Sequence, residues 1–282
     1  MLLFKKSADL GNYLERLRQE GLAIGFVPTM GALHQGHISL VEQSREESGI
    51  TVCSIFVNPT QFNDSKDFEK YPSTIEADID KLEAAGCDVL FLPSVSEIYP
   101  DGTALAAHYN LGYLETILEG KFRPGHFQGV CQVVERLLQI VKPHFLFLGQ
   151  KDYQQCMVIK KLIALTGLPV HTIVCPTLRE SDGLAMSSRN MRLNPGERAK
   201  AVKISETLSF IRSSIRPGYL PDLKERCRQY LTAEGFKVDY VEIADAETLE
   251  PQEYWDGHQP LVALVAAFLN EVRLIDNHPL HP

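Results

Sequence analysis

A doubly wound, parallel α/β sheet followed by a smaller α+β domain is the fold class that this sequence predicts. Three observations predict it. Nearly continuous apolar runs, rich in β-branched residues, recur at 22–27, 50–57, 88–93, 145–148 and 170–174, as strands buried on both faces do. Helical periodicity fills the intervals between them, which is the rhythm of βαβ units. After about residue 176 that rhythm stops. Two helical stretches are followed by three strand-like runs, the order expected of a separate α+β domain.

Each element has a local reason. Ser7 can cap a helix closed by Gly21, with Leu10, Leu14 and Leu17 as its apolar stripe. The strand at 22–27 leads into Pro28-Thr29-Met30-Gly31-Ala32-Leu33-His34-Gln35-Gly36-His37, a glycine-bearing turn at the start of the next helix. The strand at 50–57 ends in the polar loop 58–62, and 74–85 reads as a helix stopped by Gly86. A short helix is expected at 113–119, a glycine-rich basic loop at 121–129 and a helix at 130–141. The strand at 145–148 gives way to a polar turn, 149–155, and a helix running to 166. The stretch 179–190 is polar and basic. Helices at about 197–213 and 221–234 follow, then strands at 240–244, 261–269 and 272–275. The predicted domains are 1–176 and 177–282.

With 282 residues, 44% of them apolar, the chain can bury a substantial core. Its 28 Lys and Arg against 36 Asp and Glu leave a net charge of −8, which argues against a nucleic-acid partner. The six cysteines form no Cys-x-x-Cys pair and lie mostly in apolar runs, as small core residues of a reducing compartment do. Lys5, Lys6 and Asp9 interrupt the N-terminus and no uncharged run reaches membrane-spanning length, so a soluble, cytoplasmic protein without a membrane partner is expected.

Four polar stretches share one address, the C-terminal ends of parallel strands, where α/β sheets gather ligands. They are 28–37, 58–61, 149–155 and 186–189. In the first, glycines allow close backbone approach, and the helix start favours an anion. His34 and His37, three apart, face the same way on the first turn. A lone His-x-Gly-His is equally compatible with one capping and one exposed histidine, and Lys151 alone reads as a solvated lysine. Together, Lys151 and Arg189 as cations and His34, His37, Ser187 and Ser188 as donors suit phosphate oxygens. Gln61 and Gln155 are neutral amides able to hold hydroxyls and a carboxylate. Asp152 can serve a metal, serve a ribose hydroxyl, or begin the next helix.

His34-x-Gly36-His37 with Met186-Ser187-Ser188-Arg189 resembles the paired ATP signatures of class I aminoacyl-tRNA synthetases and related nucleotidyltransferases. The motifs at 28–37, 56–62, 123–127, 149–155 and 182–190, with the closing run 272–277, are similar to those of the pantothenate synthetase (pantoate–β-alanine ligase) family nearly end to end. One departure is Ser73, where the family often has arginine. The resemblance implies a Rossmann-like fold and ATP-dependent joining of pantoate to β-alanine through pantoyl adenylate, with Mg²⁺, in a homodimer. It implies ATP contacts at Met30, Gly31, Ala32, Leu33, His34, Gln35, Gly36, His37, Gly149, Gln150, Lys151, Asp152, the backbone of Leu178, Met186, Ser187, Ser188 and Arg189. It implies catalytic roles for His34, His37, Lys151 and Arg189, and substrate contacts at Gln61, Gln155 and Asn58. No protein ligand of the metal is assigned. Loops near 61–70 or 123–129, or the small domain, are expected to close over the reactive anhydride. The alternatives are a nucleotidyltransferase that leaves the nucleotide on its product, or a nucleotide-sensing module without chemistry.

Overall fold

The computed structural model describes residues 1–62, 68–104 and 108–280. The chain forms two compact units. The first comprises Met1–Gln150 and Gln154–Pro176, the second Lys151–Tyr153 and Thr177–Pro282.

The first unit is built on six strands: β1 (Leu2–Phe4), β2 (Ile24–Thr29), β3 (Ile50–Ile55), β4 (Val89–Phe91), β5 (Phe145–Gly149) and β6 (His171–Cys175). They lie in the order β1-β4-β3-β2-β5-β6, and every neighbouring pair is parallel. From β2 the chain winds through β3 to β4 on one side, and later through β5 to β6 on the other. The winding therefore reverses between β2 and β5, and the expected doubly wound sheet is what the chain forms. Its helices among the described residues include α1 (Ser7–Gln19), α2 (Gln35–Glu47), α3 (Ile75–Ala84), α4 (Val95–Ile98), α5 (Leu118–Phe122), α6 (His126–Val141) and α7 (Tyr153–Thr166), the last with all but its first residue in this unit. Val27, Cys53, Ile55, Leu90 and Phe147 of the strands pack with Ile38 and Val41 of α2 and Leu82 of α3 in one buried cluster. The stripe Leu10, Leu14 and Leu17 of α1 is buried too, and α1 packs against α6.

The second unit carries α8 (Pro195–Ala201), α9 (Lys203–Ser214) and α10 (Pro221–Ala233). They cover an antiparallel sheet of β8 (Lys237–Asp245), β10 (Leu261–Leu269) and β11 (Val272–Leu280), with β10 in the centre. β7 (Gly218–Tyr219) and β9 (Tyr254–Trp255) form a separate two-stranded ribbon. The smaller α+β region that the fold class expects is present.

Several elements differ from expectation for physical reasons. Residues 121–129 are not an open loop: α5 ends at Phe122, and α6 begins at His126, whose ring, with Phe127 and Gln128, is buried. Ser7 does not cap α1. Lys6 is the cap residue, and the Glu97 carboxylate of α4 takes the Ser7 N–H (2.9 Å) and the Ser7 hydroxyl. The expected 197–213 helix starts earlier because Asn194 and Glu197 form a capping box around Pro195, the side-chain oxygen of each accepting the backbone N–H of the other, and it breaks at Val202. The stretch 61–70, named as a closing loop, includes 63–67, which lie outside the described residues.

All six cysteines are buried and none forms a disulfide. Burial pushes the thiols of Cys87 and Cys227 up to about 11 and that of Cys131 to about 12, so they stay protonated at neutral pH. No helix among the described residues is long and apolar enough to cross a membrane.

Candidate active site

The reversal of winding leaves the C-terminal ends of β2 and β5 side by side, the position at which open α/β sheets bind ligands. Two of the predicted stretches begin there: the turn 30–34 after β2, and Gly149–Gln150 at the end of β5.

The turn after β2 is held from three sides. Thr29 Oγ1 donates to the Ser54 carbonyl (2.7 Å) and accepts the Gly31 N–H (3.3 Å). Gly31 has φ +82°, and an added Cβ would sit 3.1 Å from Ile55 and 3.2 Å from Asp78 Oδ2. The backbone then passes through Ala32 at φ +49°, an uncommon conformation for a residue with a side chain. What holds it is Asp78 of α3. Its fully buried carboxylate accepts the Ala32 and Leu33 N–H groups, each at 2.8 Å, and the Thr74 hydroxyl at 3.1 Å. Lys81, one helical turn on, donates to the Leu33 carbonyl (2.5 Å).

His34 is the N-cap of α2. Its Nδ1 accepts the Gly36 N–H at 3.2 Å, and His37 Nδ1 accepts the His34 N–H at 3.3 Å. A backbone N–H can only donate, so each Nδ1 is an acceptor and each neutral ring carries its proton on Nε2. The rings are 4.0 Å apart by centroid. One sequence reading had one histidine capping and the other merely exposed. Instead both cap, both are half-buried, and both keep a donor on the far nitrogen. Gln35 between them is exposed.

Gln61 sits in a short turn after β3 and is held at three atoms. Its amide Nε2 donates to Met30 Sδ (2.7 Å), Asn58 Nδ2 donates to its Oε1 (3.3 Å), and His126 donates from Nδ1 to its carbonyl (2.8 Å). Arg123 reaches His126 Nε2 at 3.1 Å and Glu119 at 3.7 Å. Since guanidinium only donates, His126 holds its proton on Nδ1, the opposite tautomer to His34 and His37. Asn58 is buried, takes the Tyr99 hydroxyl (2.8 Å) and donates to the Gly129 carbonyl (3.1 Å). Gly129 has no room for a Cβ, which would lie 2.2 Å from the Thr60 carbonyl oxygen. Of the adjacent glutamines on α7, Gln154 is buried and bonded to the backbone at Leu114, Ile117 and Glu119, whereas Gln155 is half-buried.

In the second unit, residues 178–186 form a tight hairpin: Arg179 bridges Ala185, and Met186 N–H donates to the Leu178 carbonyl (3.0 Å). Arg198 pairs with Asp182 through two contacts, at 2.6 and 3.2 Å. Ser187 Oγ accepts the Arg189 N–H (3.3 Å), Ser188 is buried, and Met186 and Arg189 are half-buried. Lys151, with its side chain 17% exposed, and Asp152, 3.8 Å away, belong to this unit as well.

Sequence reasoning missed Asp78, Lys81, Tyr99, His126 and Gly129. For Asp78 a signal existed: it falls between Ile75 and Leu82 at helical spacing, a carboxylate on an apolar stripe.

The sequence model of the pantoate-beta-alanine ligase family matches residues 2–279. The pantothenate synthetase of Porphyromonas gingivalis (strain ATCC BAA-308 / W83) is 45% identical over 279 residues, covering 98% of both chains. That of Pseudomonas fluorescens (strain Pf0-1) is 47% identical, covering 97% of this chain and 96% of its own. Among solved structures, the pantothenate synthetase of Thermus thermophilus superposes with a TM-score of 0.91 at 40% identity over 100% of both chains. The pantoate-beta-alanine ligase of Francisella tularensis, complexed with beta-gamma ATP and beta-alanine, gives 0.84 at 39% identity over 99% of this chain and 97% of its own.

Proposed function

The chain belongs to the pantoate–β-alanine ligase family, and we propose that it makes pantothenate from pantoate, β-alanine and ATP through pantoyl adenylate. A pantoate carboxylate oxygen attacks the α-phosphorus while the bond to the pyrophosphate oxygen breaks. The β-alanine nitrogen, having lost its proton, then attacks the acyl carbon, and the acyl–oxygen bond to AMP breaks.

The observation that carries this reading is the pair of Nε2 donors from His34 and His37 at the switch point of the sheet. Adenylation needs the charge growing on the α-phosphate and pyrophosphate to be met by fixed donors more than it needs a strong base. Two neutral imidazoles with Nδ1 committed to the backbone are such donors. Lys151 and Arg189 supply the cations, the Ser187 and Ser188 hydroxyls further donors, and Gly149, Gln150, Asp152 and the backbone of Leu178 the remaining nucleotide contacts. Gln61, Gln155 and Asn58 hold pantoate. A neutral amide orients the carboxylate without the ion pairing that would blunt its attack.

These donors suit phosphate oxygens rather than a metal cage, and among the described residues no group of three or more His, Cys, Asp and Glu gathers in a metal-holding arrangement. Mg²⁺ would enter on the ATP phosphates, with Asp152 the candidate protein contact, and would neutralise charge there. In this reading residues 1–176 bind ATP and pantoate, residues 177–282 close over the anhydride, and the enzyme is a cytoplasmic homodimer.

The test is exchange of labelled pyrophosphate into ATP. Exchange that requires pantoate and proceeds without β-alanine supports the adenylate route, with AMP released once β-alanine is added. Exchange that needs β-alanine, or a product that retains the nucleotide, overturns it.

A further inference from the structure

Lys151 follows β5 with only Gln150 between them, yet its backbone carbonyl is held from more than a hundred residues away. The Asn277 side chain donates from Nδ2 to the Lys151 carbonyl at 2.8 Å. Two residues on, the Tyr153 hydroxyl donates to the Ala246 carbonyl at 2.7 Å. The segment Lys151–Tyr153 is thereby fastened at both ends to the second unit.

Asn277 is itself fixed. It sits in β11, opposite Leu264 of the buried central strand β10, and is 2% exposed. Its N–H donates to its neighbour Asp276 Oδ1 (2.8 Å). Asp276, 4% exposed, receives Arg179 in a two-point ion pair at 2.7 and 3.0 Å. The same guanidinium donates to the Asn277 carbonyl (3.2 Å) and the Gly183 carbonyl (3.1 Å). Arg179 and Gly183 belong to the hairpin that leads into Ser187–Arg189. One buried dipeptide, Asp276-Asn277, thus ties the backbone of Lys151 to the loop bearing Arg189. A two-point guanidinium–carboxylate pair fixes orientation as well as distance, and a small misplacement of a group acting on the transition state is costly.

We propose that Asn277 and Tyr153 are positioning residues for the adenylation step: they set the place of the Lys151 ammonium relative to Arg189, so that the two cations act as one rigid frame on the triphosphate. This rests on the ligase reading and adds to it two side chains that act through Lys151.

The test is a double-mutant cycle on pantoate-dependent pyrophosphate exchange, normalised to folded protein. Lys151→Ala alone is expected to slow exchange about a hundredfold, Asn277→Ala about tenfold, and Tyr153→Phe about threefold. In the Lys151→Ala background, Asn277→Ala and Tyr153→Phe should each change the rate by less than about twofold. A merely structural role lowers the melting temperature and multiplies through, so additive losses in both cycles overturn the proposal. If Asn277→Ala does not fold, the Tyr153→Phe cycle decides, since it removes only a hydroxyl. Exchange by the wild-type enzyme is the control for the ligase reading itself: its absence refutes that reading, whereas its presence with additive cycles refutes this one.

Discussion

His37 accepts the backbone N–H of His34 through Nδ1, while His34 accepts that of Gly36, so the two imidazoles close the first turn of α2 and are oriented by the turn they close. Structure and chemistry can be separated by substitution. His34→Asn retains a good N-cap, and His37→Gln retains the partner residue of a capping box. Both should melt within a few degrees of the wild type, since a lost cap costs about 1 kcal/mol. Both should nonetheless lose about a hundredfold in pyrophosphate exchange, as for removal of one transition-state donor. Near-normal exchange by His37→Gln would show that its Nε2–H has no part in the reaction.

Asp78 fixes the turn between β2 and α2 through the Ala32 and Leu33 amides. Asp78→Ala leaves two buried donors without their acceptor, a loss of about 3 kcal/mol. Chemical denaturation should register it as a lower midpoint with an unchanged slope. The folded fraction should also exchange pyrophosphate more slowly, because Ala32 no longer has what holds it at positive φ.

Gly129 lets α6 approach the turn that bears Gln61. A methyl there would overlap the Thr60 carbonyl and lie 2.9 Å from the Gln61 Cα. Gly129→Ala should raise the pantoate KM by about tenfold while moving the ATP KM by less than about twofold. Equal changes in both would mean that the overlap is relieved away from the turn.

Glu97 gives a pH dependence with a definite sign. The Ser7 hydroxyl, the Ser7 N–H and then Lys6 hold its carboxyl down from 4.5 to about 2. A carboxylate with a depressed folded pKa stabilises the protein above its unfolded value, and that contribution fades as pH falls from about 4.5 toward 2. Melting temperatures of the wild type and Glu97→Gln, followed from about pH 6 down to about pH 2.5, should converge on acidification. A constant gap would assign the effect to another group.

The sheet was legible because β2, β3 and β5 are buried on both faces and therefore apolar along most of their length. β1 was not: three residues at a sheet edge, with Leu2 and Leu3 largely exposed, leave no periodic signature. The first turn of α6 was hidden by Gly125 and Gly129, which read as loop residues, although Gly129 is there for close approach and Gly125 serves as the cap at φ +80°. In the candidate site, the placement of His34 and His37 on the first turn of a helix could be read from spacing, because a helix start is a local structure, although spacing left their roles open. The supports of the site could not. Asp78 reaches back forty-five residues to Leu33, and His126 reaches sixty-five to Gln61. Side-chain hydrogen bonds across such separations depend on tertiary placement, which no periodicity encodes.

Lys151–Tyr153 belongs with a unit whose remaining residues start at Thr177. Anyone expressing the halves separately by cutting at 176/177 would strand the lysine on the wrong fragment. The C-terminal piece would keep Asn277 and Ala246 as vacant sockets, and a usable split version needs a grafted 151–153 linker or a circular permutation that carries the tripeptide along.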